Sequence, residues 1–312
     1  MLRASLSQVA SILALLALGS GCARKEVSAP KVSPPAAIVK PEPKAKPEPP
    51  KRVTNRPANK DGSVFVLEYH NIGDNKSPMF RTVKQFRNDL ERLYKLGFRP
   101  VTASEYLFNR MNLPPGATPV VITFDDSQPS QIKLLSDGRL DPNCAMGIWE
   151  DFARDKPDFP MKATFFVLPR MWDQPEMRKR KVQMVKSWGS ELGNHTLTHP
   201  VLRKKTDEQV MKEVAGGIEL LEKYGHNGPI VFAAPYGSTP KNRALIKQFK
   251  FKGKVYKIDG AFLVGSNPAP SPESDKLDLH RVPRIIAQPG ILGFDNWLEK
   301  LAKGKVTLYV AP

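Results

Sequence analysis

Two short stretches carry residue types and spacings suited to hydrolytic chemistry. The first is VVITFDD, residues 120–126, a buried-strand pattern that ends in Asp125 and Asp126. Adjacent carboxylates repel, and burying either one without a partner is unfavourable. The second is NHTLTHP, residues 194–200, which places two of the chain's five histidines, His195 and His199, four positions apart. In a tight loop, or on one helical turn, two imidazoles at this spacing reach one metal ion. Zinc favours nitrogen ligands, and a carboxylate commonly supplies the third. A surface histidine pair satisfies the same spacing, and a helix-start turn satisfies the Asp pair. The two stretches together are far more specific: one carboxylate binds the metal and the other stays beside it as a base. Thr196 stands where the HExxH metalloprotease pattern needs Glu, so that route lacks its base.

These residues need elements that bring them together. Strand patterns fall at 63–69, 98–102, 119–124, 162–168, 190–195, 229–235, 254–258, 281–286 and 306–310. Helix patterns fall at 82–97, 103–110, 174–187, 206–225, 240–249 and 294–303. Val83, Phe86, Leu90 and Leu93 form one apolar stripe, and Val210, Val214, Ile218 and Leu221 another. Thr82 with Gln85, and Thr206 with Gln209, read as capping boxes that start these two helices. Such alternation predicts an α/β fold with a parallel sheet, open or closed into a barrel. In such folds the chemistry sits at the carboxyl ends of strands, and Asp125, Asp126, His195 and Tyr236 each fall just after one. Residues 127–161 form a long, weakly patterned segment with a short helix near 145–152, read as a substrate-binding element or a decoration.

The 312 residues carry 48 Lys plus Arg against 31 Asp plus Glu, a net charge of +17. This favours acidic surroundings such as anionic lipid or a cell-wall polymer. No nucleic-acid recognition motif accompanies the charge, and no protein partner is evident. Residues 1–22 read as an export signal: Arg3, an apolar run from Val9 to Leu18, then small residues ending at Cys22. LGSGC, residues 18–22, resembles a bacterial lipobox, so Cys22 is expected to be the lipidated first residue of the mature chain. Ala23 after it would permit outer-membrane sorting in a Gram-negative cell. The expected location is therefore the cell envelope, lipid-anchored. Residues 23–60 are rich in Pro and Lys and read as an extended tether, leaving 61–312 as the folded domain. With Cys22 lipidated, Cys144 has no partner, so no disulfide framework is expected.

The chain resembles the polysaccharide deacetylases, metal-dependent enzymes that remove N-acetyl groups from amino-sugar polymers. VVITFDD (120–126), KATFFVLP (162–169), ELGNHTLTH (191–199) and FAAPYG (232–237) carry the resemblance, with VLEYHNIG (66–73) as the first strand. It implies an irregular (β/α) barrel of about seven parallel strands. It implies Asp126, His195 and His199 as ligands of a divalent metal, usually zinc, and Asp125 as the base toward the attacking water. The Tyr236 N–H would stabilise the oxyanion, and His280 would protonate the departing amine, held by Asp259. The pattern is departed from at several places. Ala233 replaces the Arg that orients the base, leaving Arg281 or Arg284 to do so; Phe262 stands in for a Trp, and Asp278 and Ser127 are atypical. His70, at another strand end, reads as a core histidine. Two other functions fit the same residues: a carbohydrate-binding protein that has lost turnover, and a deacylase or amidase for a smaller acyl compound. A pocket closed by residues 127–161 would favour the latter.

Overall fold

A computed structural model describes residues 51–74, 79–288 and 290–312, all within one compact unit. The first 50 residues, and with them the expected signal, Cys22 and most of the tether, lie outside the described residues. The elements are β1 (Phe65–Tyr69), β2 (Asn71–Ile72), β3 (Phe80–Arg81), α1 (Val83–Lys95), β4 (Phe98–Val101), α2 (Ala103–Leu107), β5 (Thr118–Phe124), α3 (Ala145–Asp155), β6 (Thr164–Val167), α4 (Arg178–Ser187), β7 (Glu191–Asn194), α5 (Asp207–Lys223), β8 (Val231–Ala233), β9 (Gln248–Phe251), β10 (Lys254–Lys257), β11 (Gly260–Phe262), β12 (Ile285–Ile286) and α6 (Phe294–Ala302).

The main sheet runs β11-β8-β7-β6-β5-β1-β12, with every neighbour parallel. Val120 and Val121 pair with both β1 and β4, so β4 occupies the other edge of β5, below the Thr123–Phe124 rungs given to β6. Val282, just before β12, forms a parallel bridge to Phe262 of β11. The sheet therefore curls back on itself, as the expected seven-stranded irregular barrel requires. Every residue of β5 is buried, because a parallel strand is covered on both faces. Both expected capping boxes form, at Thr82/Gln85 and Thr206/Gln209, and the two predicted stripes face the core.

Three expectations need correction. Residues 240–249 do not form a helix: a short 3-10 turn at Arg243–Ile246 leads into β9, which pairs antiparallel with β10 outside the barrel. The alternation of Phe249 and Phe251 with lysines has a period of two, and Gly253, at φ +82°, makes the turn. The barrel strand at this point is instead β11, only three residues long. It begins at Gly260, where a Cβ would come within 2.2 Å of the Leu107 side chain. Residues 306–310 form no strand and make only isolated bridges, Leu308 to Ser63 and Val310 to Asn59.

Residues 51–60, expected to belong to the tether, run against the barrel: Val53 N–H donates to the Pro115 carbonyl and Thr54 Oγ1 to that of Gly116. The segment 127–161 also packs inward. Ile132, Leu134, Trp149 and Phe152 share one core with Phe86, Leu90 and Leu93 of α1.

Candidate metal centre and base

β5 delivers the two aspartates. The Asp125 N–H donates to the Tyr69 carbonyl, a last rung toward β1, and then the chain turns left-handed at Asp126 (φ +70°) and Ser127 (φ +52°). Such conformations cost about 1–2 kcal/mol for a residue with a Cβ. They recur at Thr196, His199 and Tyr236, so the loops of the site share backbone strain. This is why a glycine would suit the place of Ser127. Its hydroxyl holds the turn instead, accepting from the Leu168 N–H at 2.8 Å.

β7 delivers the histidines, and α5 holds their loop. Asn194 is fully buried; its Oδ1 accepts from the Thr196 N–H and its Nδ2 donates to the Val214 carbonyl. Glu213 of α5 accepts from the N–H groups of Leu197 and Thr198. Asn194 fits only because Gly217 faces it: a Cβ there would lie 2.0 Å from Asn194 Oδ1. Gly→Ala inside a helix ordinarily stabilises by up to about 1 kcal/mol. Here Gly217→Ala should destabilise by about 1–3 kcal/mol through overpacking and loosen the histidine loop. Urea unfolding together with metal content of the variant checks this; a gain in stability would show that Asn194 does not anchor the loop.

Asp126, His195 and His199 converge. His195 Nε2 lies 3.2 Å and His199 Nε2 3.0 Å from Asp126 Oδ1. His195 Nδ1 donates to the Ala233 carbonyl at 2.7 Å, which in the neutral ring leaves Nε2 a bare lone pair facing a carboxylate oxygen. Two acceptors at that distance need a cation between them, either a proton on the ring or a metal ion. Orientation through the far ring nitrogen is also how metal-binding histidines are usually fixed. Asp126 and His199 keep about a fifth of their side-chain surface open, so the trio is reachable. Burial pushes the Asp126 carboxyl up, but its hydrogen bonds to the two histidines hold it well below the usual carboxylate range.

Asp125 sits behind this trio, 1% exposed. Arg284 donates to both its oxygens, Nη1 to Oδ1 at 2.8 Å and Nη2 to Oδ2 at 2.7 Å. Burial raises the Asp125 pKa, yet Arg284, with His195 behind it, holds it below the ordinary value. Arg284 is itself fully buried: it also donates to Thr123 Oγ1 and the Leu263 carbonyl, and its guanidinium lies 5.4 Å from the Phe166 ring centre. Phe262 packs against that same Phe166 ring. Of the two arginines offered as substitutes, Arg284 thus meets the base and Arg281 is exposed elsewhere.

A second group, Glu68, His70 and Asp125, also clusters. Arg284 Nη2 lies 3.2 Å from Glu68 Oε2, so a guanidinium already occupies the neighbourhood a second cation would need. Burial pushes the Glu68 carboxyl up to about 8, and the two aspartates add to it. Burial likewise lowers the pKa of His70, in keeping with a core histidine. Glu68 escaped notice in the sequence, although a lone charge inside the apolar run FVLEY signals it. Gln131 escaped too; its Nε2 donates to the carbonyls of both Asp125 and His70.

The Tyr236 ring stands edge-on to His199 at 4.6 Å, two-thirds exposed. His280 is held differently from expectation. Its Nε2 bonds to the Ile258 carbonyl at 3.0 Å, and Asp278 Oδ1 accepts from its main-chain N–H. Asp259 does not hold it: that carboxylate accepts from the Ile230 N–H and pairs with Lys257.

A curled parallel β/α barrel thus carries an Asp–His–His trio and a guanidinium-held aspartate at the carboxyl ends of its strands. Residues 156–253 match the family model for polysaccharide deacetylase. That segment contains His195, His199 and Tyr236, while Asp125, Asp126 and Arg284 lie outside it. Over 98 residues the chain is 32% identical to the peptidoglycan-N-acetylmuramic acid deacetylase PdaC of Bacillus subtilis, covering 31% of this chain and 20% of that protein. The chain thus matches about a fifth of the length of this curated relative. The fold is similar to that of the deacetylase PplD from Streptococcus pyogenes, with a TM-score of 0.57 and 19% identity over 77% of this chain and 98% of that one. It is also similar to IcaB from Ammonifex degensii, with a TM-score of 0.52 and 19% identity over 78% and 97%.

Proposed function

We propose that this protein is a metal-dependent hydrolase that removes N-acetyl groups from an amino-sugar polymer. The observation that carries the reading is the Arg284–Asp125 pair set beside Asp126, His195 and His199. It supplies an ionised, oriented base despite Ala233, and so favours an enzyme over a carbohydrate-binding protein without turnover. A divalent cation on Asp126, His195 and His199, zinc in this reading, would supply Lewis-acid polarisation of the acetyl carbonyl. Asp125 accepts the proton of the attacking water, with Arg284 fixing both its oxygens. The main-chain N–H of Tyr236 donates to the developing oxyanion. His280, with Nε2 tied to Ile258, uses Nδ1 to protonate the departing amine. The inward packing of 127–161 and the partial exposure of Asp126 and His199 favour a polymer over a small enclosed acyl substrate.

The test is acetate release from acetylated glycans, with and without chelator. His195→Ala, His199→Ala and Asp126→Ala should each lose bound metal while the barrel stays folded, since a missing ligand opens the coordination sphere. Stoichiometric metal in all three purified variants would remove this site assignment.

We also propose export and lipid anchoring at Cys22, with residues 23–50 as spacer. A lipoprotein cysteine carries several acyl chains, enough for stable residence where a single chain is marginal. No helix among the described residues is long and apolar enough to cross a membrane. Cys22→Ser should abolish lipid labelling; normal labelling of that variant would overturn the anchor.

A further inference from the structure

Beside the candidate metal centre lies a cavity of about 300 Å³, of whose lining the proposed chemistry uses His280 alone. It opens past the ends of β8 and β11, and Gly237 forms part of its wall. Gly237 directly follows Tyr236, whose ring touches His199, so cavity and centre are neighbours on the same face of the barrel. Arg243, Lys247 and Arg281 all line it, together with His280. None of these three cations has an ion pair or side-chain hydrogen bond among the described residues. The single carboxylate in the lining, Asp278, is turned to the His280 main chain. Three like charges around one cavity repel each other, and an anion placed there relieves that repulsion. Guanidinium groups further suit oxyacid groups, which they hold through paired N–H donors.

We propose that this cavity is a subsite for an acidic substituent, a carboxylate or a phosphate, on the amino-sugar polymer. The inference rests on the deacetylase reading above and adds to it the charge of the substrate. The cavity's volume is at the lower end for ligand sites, so it takes a substituent and the ring that carries it, not a stretch of chain. The 3-10 turn at Arg243–Ile246, which replaces the expected helix, is what brings Arg243 and Lys247 to this wall.

The experiment compares three acetylated oligosaccharides of equal length. One carries carboxylates, one is the same glycan with its carboxylates reduced to alcohols, and one carries phosphate monoesters. Binding is measured by calorimetry on chelator-treated full-length protein, and initial rates on the metal-loaded protein. The parent should bind an acidic glycan about tenfold more tightly than the neutral one at low salt, and whichever acid is preferred identifies the source. Arg243→Gln/Arg281→Gln should bring that ratio close to one. Lys303→Gln/Lys305→Gln, which removes the same charge on a distant surface, should leave the ratio as it is. A ratio near one in the parent, or a preference that survives the pocket variant, overturns the subsite. If no glycan releases acetate, the deacetylase reading fails, and the binding ratio still decides the subsite.

Discussion

Asp125→Asn should lose about a hundredfold to ten-thousandfold of turnover while keeping its metal. The residue is buried, and burial alone would favour its neutral acid form. The guanidinium of Arg284, donating to both oxygens, reverses that preference, so Asp125 is ionised at neutral pH and able to take a proton. An amide in its place has no such capacity and turns an N–H group toward a guanidinium. The Asp126 trio is untouched, so metal content separates this variant from the ligand variants. Because the folded pKa of Asp125 is depressed, the stability this pair contributes is present above about pH 4 and is lost as pH falls through the folded value. Acetate release at the parent rate would show that the base lies elsewhere and that Asp125 is structural.

Arg284→Met should be the more damaging change to the fold. The side chain is 0% exposed and lies against two buried carboxylates, Asp125 and Glu68. Removing one partner of a buried ion pair leaves an uncompensated charge, at about 3–5 kcal/mol. Turnover should fall with it, because Asp125 loses both its orientation and the cation that keeps it ionised. Arg284→Lys restores a charge but offers a point where a fork is needed, so it should recover stability in part and turnover less. Urea unfolding of the three proteins, with rates measured where each is folded, checks this order. Parent-like stability in Arg284→Met would mean that the pair contributes nothing net.

Much of this architecture was legible from periodicity. β5 reads as a buried strand because its apolar residues are unbroken, and α1 and α5 because stripe and capping box agree. Those signals are local, and local agreement between pattern and propensity survives folding. Where two periods competed, around 240–251, the pairing of β9 with β10 and the stacking of Phe249 on Tyr256 decided for strand. β11 was too short to carry a period, and its role comes from the barrel's need for a neighbour to β8.

The candidate centre divides in the same way. The sequence by itself determined the inventory: two adjacent carboxylates at a strand end, and two histidines in one loop after another strand. It also limited the substitute for the missing arginine to Arg281 or Arg284, but could not choose between them. Only the tertiary structure decided that, because the choice depends on a contact across 159 positions, made when the segment before β12 closes the barrel against β1 and β11. The same closure buries Glu68 beside Arg284. The curl of the sheet also assembles the cationic cavity, from a 3-10 turn after β8 and a loop before β12. Spacing along a chain fixes which groups one loop can offer; which groups from distant loops face each other is set by how the strands are ordered and staggered.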